Sequence, residues 1–335
     1  MKVLLVKTSS MGDVVHTLTA VHEAKTQRPD LRIDWLVEAD FADIARLAQK
    51  NGDIEQVIPI RFRRWRQKKP FGVFFHPAIK QLKQQLRSHQ YDRVLDAQGL
   101  LKSVFLARLA GAPITGFDRN SAREGLAARF YQQSLAIDKN QHAITRLRQL
   151  FSQTFAYTLP PQPPAIRRDS ALINNQILFF HGTTWDNKAY PTTQWRALAQ
   201  QLTANGYQVM IPQYGEAEKQ VATTIAAGLK DAMVLPEQRL SELIEQLKTA
   251  RAVISVDTGL AHLAVYLGVP TVMLFGPTRA DLTGGIGAHT MNLVGQAADT
   301  ASMKRQYYGD NTTFSPCMQA ISAAEIITAL QSITE

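Results

Sequence analysis

Short apolar runs alternate with helix-period segments over residues 1–157, and the same rhythm restarts after a proline-rich break. No other feature constrains the fold as much. In the first half, Lys2–Lys7, Arg32–Glu38, Ile54–Ile60 and Tyr91–Asp96 read as buried strands. Val14, Val15, Leu18, Val21, His22 and Lys25 follow helical spacing, and Pro77–His89 and Leu100–Ala110 read as helices. The segment Thr158-Leu159-Pro160-Pro161-Gln162-Pro163-Pro164 cannot continue a helix or a central strand, because proline lacks the amide both require. Beyond it, Gln176–His181, Tyr207–Ile211, Ala252–Val256 and Thr271–Phe275 read as strands. Thr192–Asn205, Glu216–Leu229, Leu240–Lys248 and Ala323–Ser332 read as helices. Strands alternating with helices predict parallel sheets covered on both faces. The expected fold is therefore α/β, with two Rossmann-like, doubly wound domains in series. Residues 1–157 form the first, 158–170 a linker and 171–318 the second. A terminal segment, 319–335, is expected to pack back on the first. Ligands in such sheets bind beyond the carboxyl ends of the strands, which places the expected site in a cleft between the domains.

Charge is divided unevenly between these halves. Residues 1–155 hold 25 basic and 14 acidic side chains, whereas 156–335 hold 12 and 14. Different ligands are expected for the two. Cys317 is the only cysteine, which excludes an intramolecular disulfide and a cysteine-based zinc site. No apolar run is long enough to cross a bilayer, and the first residues lack the pattern of a cleaved signal peptide, so a cytoplasmic protein is expected.

Several strand ends carry residues suited to chemistry. After the first strand comes Thr8-Ser9-Ser10-Met11-Gly12-Asp13, which matches neither a Walker A loop nor a dinucleotide fingerprint. Gly12 permits a tight turn. Asp13 reads either as the N-cap of the following helix or as a general base facing a ligand. In Ser255-Val256-Asp257-Thr258-Gly259-Leu260-Ala261-His262, a strand ends and a helix opens, so the first-turn amides form an anion site suited to a diphosphate. His262 reads equally as a packed core residue, and Asp257 as a simple N-cap. Gly276-Pro277-Thr278 makes a second such turn. His181-Gly182-Thr183-Thr184, with Lys188 shortly after, offers hydroxyls and an ammonium to phosphate oxygens, or is a plain polar loop.

Gln56–Tyr91 holds nine basic residues and no acidic one, concentrated in Arg61-Phe62-Arg63-Arg64-Trp65-Arg66-Gln67-Lys68-Lys69. Arginine forks bind carboxylates and phosphates. A solvated loop, a nucleic-acid-binding module and an anionic membrane surface are the other readings of this run. The eight histidines form no metal-ligand pattern with carboxylates, so no metal site is expected.

These elements resemble, in order, the bacterial lipopolysaccharide heptosyltransferases of glycosyltransferase family 9. The resemblance rests on Val6–Leu18, Asp96-Ala97-Gln98-Gly99-Leu100, Ser121-Ala122-Arg123-Glu124, Ser255–His262 and Phe275-Gly276-Pro277-Thr278. It spans nearly the whole chain. The Ser-Ser-Met-Gly-Asp loop and the Arg-Arg-Trp-Arg run resemble the enzymes adding the first inner-core heptose more than those adding the second. A second-heptose enzyme and an epimerase on the same scaffold remain as alternatives.

The resemblance implies a GT-B architecture and inverting transfer of L-glycero-D-manno-heptose from ADP-heptose onto Kdo of Kdo2-lipid A. It implies no bound metal, no cofactor, no nucleic acid, and peripheral contact with the inner face of the inner membrane. A monomer is the default expectation. By the same resemblance, Asp13 is the base and Lys188 contacts the donor phosphates. Thr183, Thr184, Asp257, Thr258, Gly259, Leu260, His262 and Gly276 line the donor site, with Glu216 or Glu218 on the ribose. Ser10, Gly12, Arg63, Arg64, Arg66, Gln98 and Arg123 face the acceptor. Tyr214-Gly215 stands where the family has Trp-Gly, and Tyr190 where it often has Trp.

Overall fold

The computed structural model describes residues 1–68, 76–164, 173–296 and 315–334. The chain divides into two compact units, Met1–Pro164 and Ala165–Glu335.

The first unit runs β1 (Lys2–Val6), α1 (Met11–Gln27), β2 (Arg32–Glu38), α2 (Ala42–Lys50), β3 (Gln56–Ile60), α3 (Phe62–Lys68), α4 (Pro77–Ser88), β4 (Arg93–Asp96), α5 (Leu101–Arg108), β5 (Ile114–Phe117), β6 (Gln133–Leu135) and α6 (Ala143–Phe155). A 3-10 turn, Gly125–Phe130, lies between β5 and β6. The second runs β7 (Gln176–Phe180), α7 (Thr192–Ala204), β8 (Gln208–Ile211), α8 (Gly215–Ala226), β9 (Ala232–Val234), α9 (Leu240–Thr249), β10 (Ala252–Val256), α10 (Gly259–Tyr266), β11 (Thr271–Phe275), α11 (Ala280–Thr283), β12 (Thr290–Val294), α12 (Pro316–Ala320) and α13 (Ala323–Thr334).

The sheet orders are β3-β2-β1-β4-β5-β6 and β12-β11-β10-β7-β8-β9, with parallel pairing throughout. Counted within each unit, the two orders are the same, so both halves are doubly wound Rossmann-like domains. The strand order reverses at β1/β4 in one and at β7/β10 in the other. These switch points are where such sheets bind ligands.

The central strands form because their side chains are apolar on both faces. Val3, Leu4, Leu5 and Val6 are all buried, as are all five residues of β10. Leu4, Val6, Leu36 and Val94 pack with Leu86, Val104 and Ala107 in the first unit. Phe179, Trp195, Ile254 and Leu274 form the heart of the second. The sequence reading missed β5, β6, β9 and β12. β5, β6 and β9 are short, and β6, β9 and β12 are edge strands, where β6 and β9 expose polar or single apolar residues.

The apolar residues Ile326, Ala329, Leu330 and Ile333 of α13 lie in the core of the second unit, where the terminal segment had been expected to pack on the first. Part of the proline segment is held in place. Arg148 Nη2 donates to the carbonyls of Pro160 at 2.6 Å and Gln162 at 3.0 Å, which fastens that stretch to the first unit. Residues 165–170 of the expected linker lie outside the described residues. Among the described residues, no helix is long and apolar enough to cross a membrane.

Candidate functional site

In the first unit, the loop after β1 is shaped by the turn after β4. Gln98 Oε1 accepts from the Thr8 amide at 2.8 Å, the Thr8 hydroxyl at 3.0 Å and the Ser9 amide at 3.2 Å. Its Nε2 donates to the Ser9 carbonyl at 2.5 Å. Gln98 was expected to touch the acceptor, but both ends of its buried amide are committed to this loop. Gln98 is in turn set by Asp96, which is fully buried. Asp96 accepts from the amides of Gln98 and Gly99 and from the hydroxyls of Ser103 and Tyr131. Gly99 has φ +69°, and a Cβ there would crowd the Arg123 amide.

Asp13 is not the N-cap of α1. Ser10 holds that position, and Asp13 sits three residues on, where its Oδ2 accepts from the Ser10 amide at 3.1 Å and the Ser10 hydroxyl at 3.0 Å. Its Oδ1 lies 3.5 Å from Lys7 Nζ, which is buried and donates to the Ala97 carbonyl at 3.1 Å. Burial raises the proton affinity of Asp13. Lys7, the Ser10 amide, His16 and the Ser10 hydroxyl outweigh it and hold the carboxyl down at about 2. The carboxylate is therefore anionic, oriented, and still one-third exposed.

The basic run begins at the carboxyl end of β3 and is helical over Phe62–Lys68. Phe62 is buried and the Arg63 amide donates to Glu38 at 3.0 Å, so α3 is tied to the end of β2. Arg63 and Arg64 are exposed. The Arg63 guanidinium lies over the Phe41 ring, and Arg64 is 3.9 Å from Asp40. The side chain of Arg66 lies outside the described residues. Arg123 is exposed beside the Gly99 turn, in a loop held by the Asp118–Ser121 amide contact and by Arg146 donating to the Ser121 carbonyl at 2.7 Å.

In the second unit, the hub is Asp257 at the end of β10. Its Oδ2 accepts from Lys188 Nζ at 2.7 Å and from the Thr278 hydroxyl at 2.9 Å. Its Oδ1 lies 3.5 Å from His262 Nε2. Burial pushes the Asp257 carboxyl up, but His262 and Lys188 prevail and hold it well below the usual carboxylate range. Asp257 is thus not a cap. Thr258 is the N-cap of α10, and its hydroxyl accepts from the Leu260 amide at 3.2 Å. That bond occupies the Leu260 amide, and the Gly259 and Ala261 amides of the same first turn have no intrahelical acceptor.

At the end of β7, the Thr183 hydroxyl accepts weakly from the Trp185 amide, and Thr184 is exposed. A Cβ on Gly182 would overlap the Glu218 carboxylate, which also accepts from the Tyr214 amide at 2.8 Å. Glu218 therefore lies against the β7 strand end. Glu216 points to solvent, 3.7 Å from Lys219. Gly276 is buried under Met318, so its missing side chain serves packing, and Thr278 is the residue of that turn that reaches the hub.

The structure thus gathers Ser10, Gly12 and Asp13 with Lys7 and Gln98 at one switch point. It gathers Thr183, Lys188, Glu218, Asp257, Thr258, Gly259 and His262 at the other. Sequence reasoning missed Lys7, Asp96 and Thr278 as site-building residues. Among the described residues, no group of three His, Cys, Asp or Glu side chains could hold a metal ion.

Known proteins match this arrangement. The model for glycosyltransferase family 9 (heptosyltransferase) matches residues 79–311. Lipopolysaccharide heptosyltransferase 1 of Pseudomonas aeruginosa is 43% identical over 300 residues, covering 88% of this chain and 83% of that protein. Lipopolysaccharide heptosyltransferase 2 of Escherichia coli K12 is 25% identical over 318 residues, covering 84% and 85%. Among solved structures, E. coli heptosyltransferase WaaC with ADP superposes with a TM-score of 0.85 at 33% identity, covering 99% of both chains. WaaC with ADP-2-deoxy-2-fluoro heptose gives 0.82 at 32%, with the same coverage.

Proposed function

The chain belongs to glycosyltransferase family 9, and from that premise we propose that its two switch points divide one reaction, the first serving the acceptor and the second the donor. It is a glycosyltransferase with a GT-B architecture, and it transfers heptose in lipopolysaccharide core biosynthesis. The donor is ADP-heptose and the acceptor is Kdo of Kdo2-lipid A.

The observation that carries this reading is the Asp13 carboxylate, ionised and oriented at the carboxyl end of β1. Asp13 takes the proton of the acceptor hydroxyl as that oxygen bonds the anomeric carbon and the bond from that carbon to ADP breaks. With its carboxyl at about 2 it is a weak base, so the proton moves late, when the attacking oxygen has become acidic. The same negative charge stabilises the oxocarbenium character of the transition state. Inversion at the anomeric carbon follows from a single displacement.

Charge developing on ADP is met by Lys188, the Thr183 and Thr184 hydroxyls and the Gly259 and Ala261 amides, without a metal ion. Glu218 suits the ribose hydroxyls, because it is the acidic side chain held at the β7 end. Arg63, Arg64, Arg66 and Arg123 suit the carboxylates and phosphates of the acceptor. Such a substrate keeps the enzyme in peripheral contact with a membrane.

The test is ADP release with ADP-heptose and Kdo2-lipid A, each alone and together. Release should require both. A folded Asp13→Ala protein should lose transfer, and near wild-type turnover in that variant would overturn the role given to Asp13.

A further inference from the structure

The surface beside Arg123 carries apolar side chains that the first domain's core does not use. Leu101 opens α5 and is 42% exposed, whereas Leu126 and Phe130 of the 3-10 turn are 54% and 41% exposed. They form one strip. Glu124 Oε2 accepts from the Leu101 amide at 2.7 Å, which joins the start of α5 to the start of the turn. At the far end, about 12 Å along an eight-residue helix, the Arg108 guanidinium lies 5.5 Å from the centre of the Phe130 ring. The turn therefore runs alongside α5. Ala127 is its buried inner contact, and Leu126, Arg129 and Phe130 point outward.

The charge around the strip is predominantly positive. Arg108, Arg123 and Arg129 are exposed along it. The acid between them, Glu124, is turned onto the Leu101 amide. One turn on from Leu101, on the same face of α5, Phe105 meets Phe62 at 6.1 Å, and Phe62 begins the basic helix α3. Exposed leucine and phenylalanine inside a border of arginines fit a surface that is apolar within and anionic at its boundary.

We propose that this strip is the face by which the enzyme lies on an anionic lipid bilayer, with Leu101, Leu126 and Phe130 entering the acyl boundary and the arginines meeting phosphates. The proposal rests on the reading that the acceptor is lipid-linked. It adds that the anchoring surface is the α5 and 3-10 turn strip, separate from the strand ends that perform the reaction. Holding the strip against lipid brings the neighbouring Arg123 loop and the Gly99 turn to the headgroup level.

The experiment is co-sedimentation with vesicles of phosphatidylethanolamine and phosphatidylglycerol, with phosphatidylcholine vesicles as the neutral arm. The proteins are wild type, Leu126→Gln/Phe130→Gln and Arg129→Gln. The double variant should lose about tenfold or more in affinity for the anionic vesicles. Arg129→Gln should lose about fivefold on those vesicles and little on the neutral ones. Melting temperature and turnover on a deacylated, water-soluble acceptor should stay at wild-type values in both. Wild type that fails to sediment with the anionic vesicles at low salt would overturn the proposal. So would a double variant that binds as wild type does, or a wild-type dimer that this double substitution dissolves. Failure of transfer to the soluble acceptor would instead strike the functional reading and leave the vesicle result standing.

Discussion

Lys188 Nζ lies 2.7 Å from Asp257 Oδ2, so the cation assigned to the donor phosphates is itself held by a largely enclosed carboxylate. The pair fixes the ammonium at the strand end. It also sets a negative charge beside the position of a diphosphate. Removing Lys188 therefore does two things: it deletes an attraction and uncovers a repulsion. Lys188→Met should cost roughly a hundred- to thousandfold in kcat, as expected for one electrostatic donor. It should weaken ADP binding as well. Lys188→Met/Asp257→Asn should bind ADP more tightly than Lys188→Met alone. Calorimetry on the four proteins of this cycle measures the coupling, and purely additive losses would refute the shared role.

Lys7 stands in the same relation to Asp13, at 3.5 Å, but here the carboxylate is the proposed base. The carboxyl is held at about 2, below its unfolded value, so its ionisation favours the fold above about pH 4 and that contribution fades as pH drops toward 2. For the same reason, Asp13 should impose no acid limb on kcat/KM between pH 4 and 8. Lys7→Met removes the largest lowering influence, so the carboxyl should rise from about 2 toward the ordinary carboxylate range. The acid limb should then shift upward and become visible near the lower end of that range. Profiles of the two proteins that superimpose would show that Lys7 does not set the state of Asp13.

The two doubly wound domains were legible because central parallel strands are apolar on both faces and cannot be mistaken for loops. The edge strand Gln133–Leu135 has no such signature, since one side of it meets solvent. At the site, Asp13 and Lys188 could be found from their positions after strands. Their controllers could not. Lys7 looks like the last residue of a strand until the chain is seen to fold its ammonium back toward residue 13. Asp257 and Thr258 are both good caps, so spacing alone does not say which one caps and which one reaches inward. Glu216 and Glu218 differ by two positions on a helix and face different sides. Only the contact with Gly182, distant in sequence, separates them. The final helix shows an apolar stripe in its sequence but no address for it.

That contact makes Gly182 a sharp probe of the proposed donor site. An added methyl group would overlap the Glu218 carboxylate and displace it, and the Tyr214 amide would lose its acceptor. Gly182→Ala should raise the KM for the ADP-sugar about tenfold, the scale of one lost charge-assisted hydrogen bond, with a smaller change in kcat. Glu218→Gln, which keeps the shape, should show a similar KM. Unchanged KM in both would remove Glu218 from the ribose.

Arg148 and Glu23 form a buried pair in the first domain, with Arg148 Nη2 2.6 Å and Nε 2.7 Å from Glu23 Oε2. Tyr157 donates to the other Glu23 oxygen at 3.2 Å, and burial together with that anion pushes its phenol up. Glu23 belongs to α1, the helix that carries Asp13, whereas Arg148 belongs to α6 and also holds the carbonyls of Pro160 and Gln162. Breaking the pair from one side strands a buried charge. Arg148→Met should therefore lower the stability of the first domain by about 3–5 kcal/mol, which is roughly 10 °C in its melting transition. Glu23→Gln/Arg148→Met removes both charges and should recover most of that loss. The recovery in stability should not extend fully to transfer, because the proline segment still lacks the donor that fastens it. Scanning calorimetry and turnover on the single and double variants separate the two effects. A double variant that regains full kcat would confine Arg148 to the core.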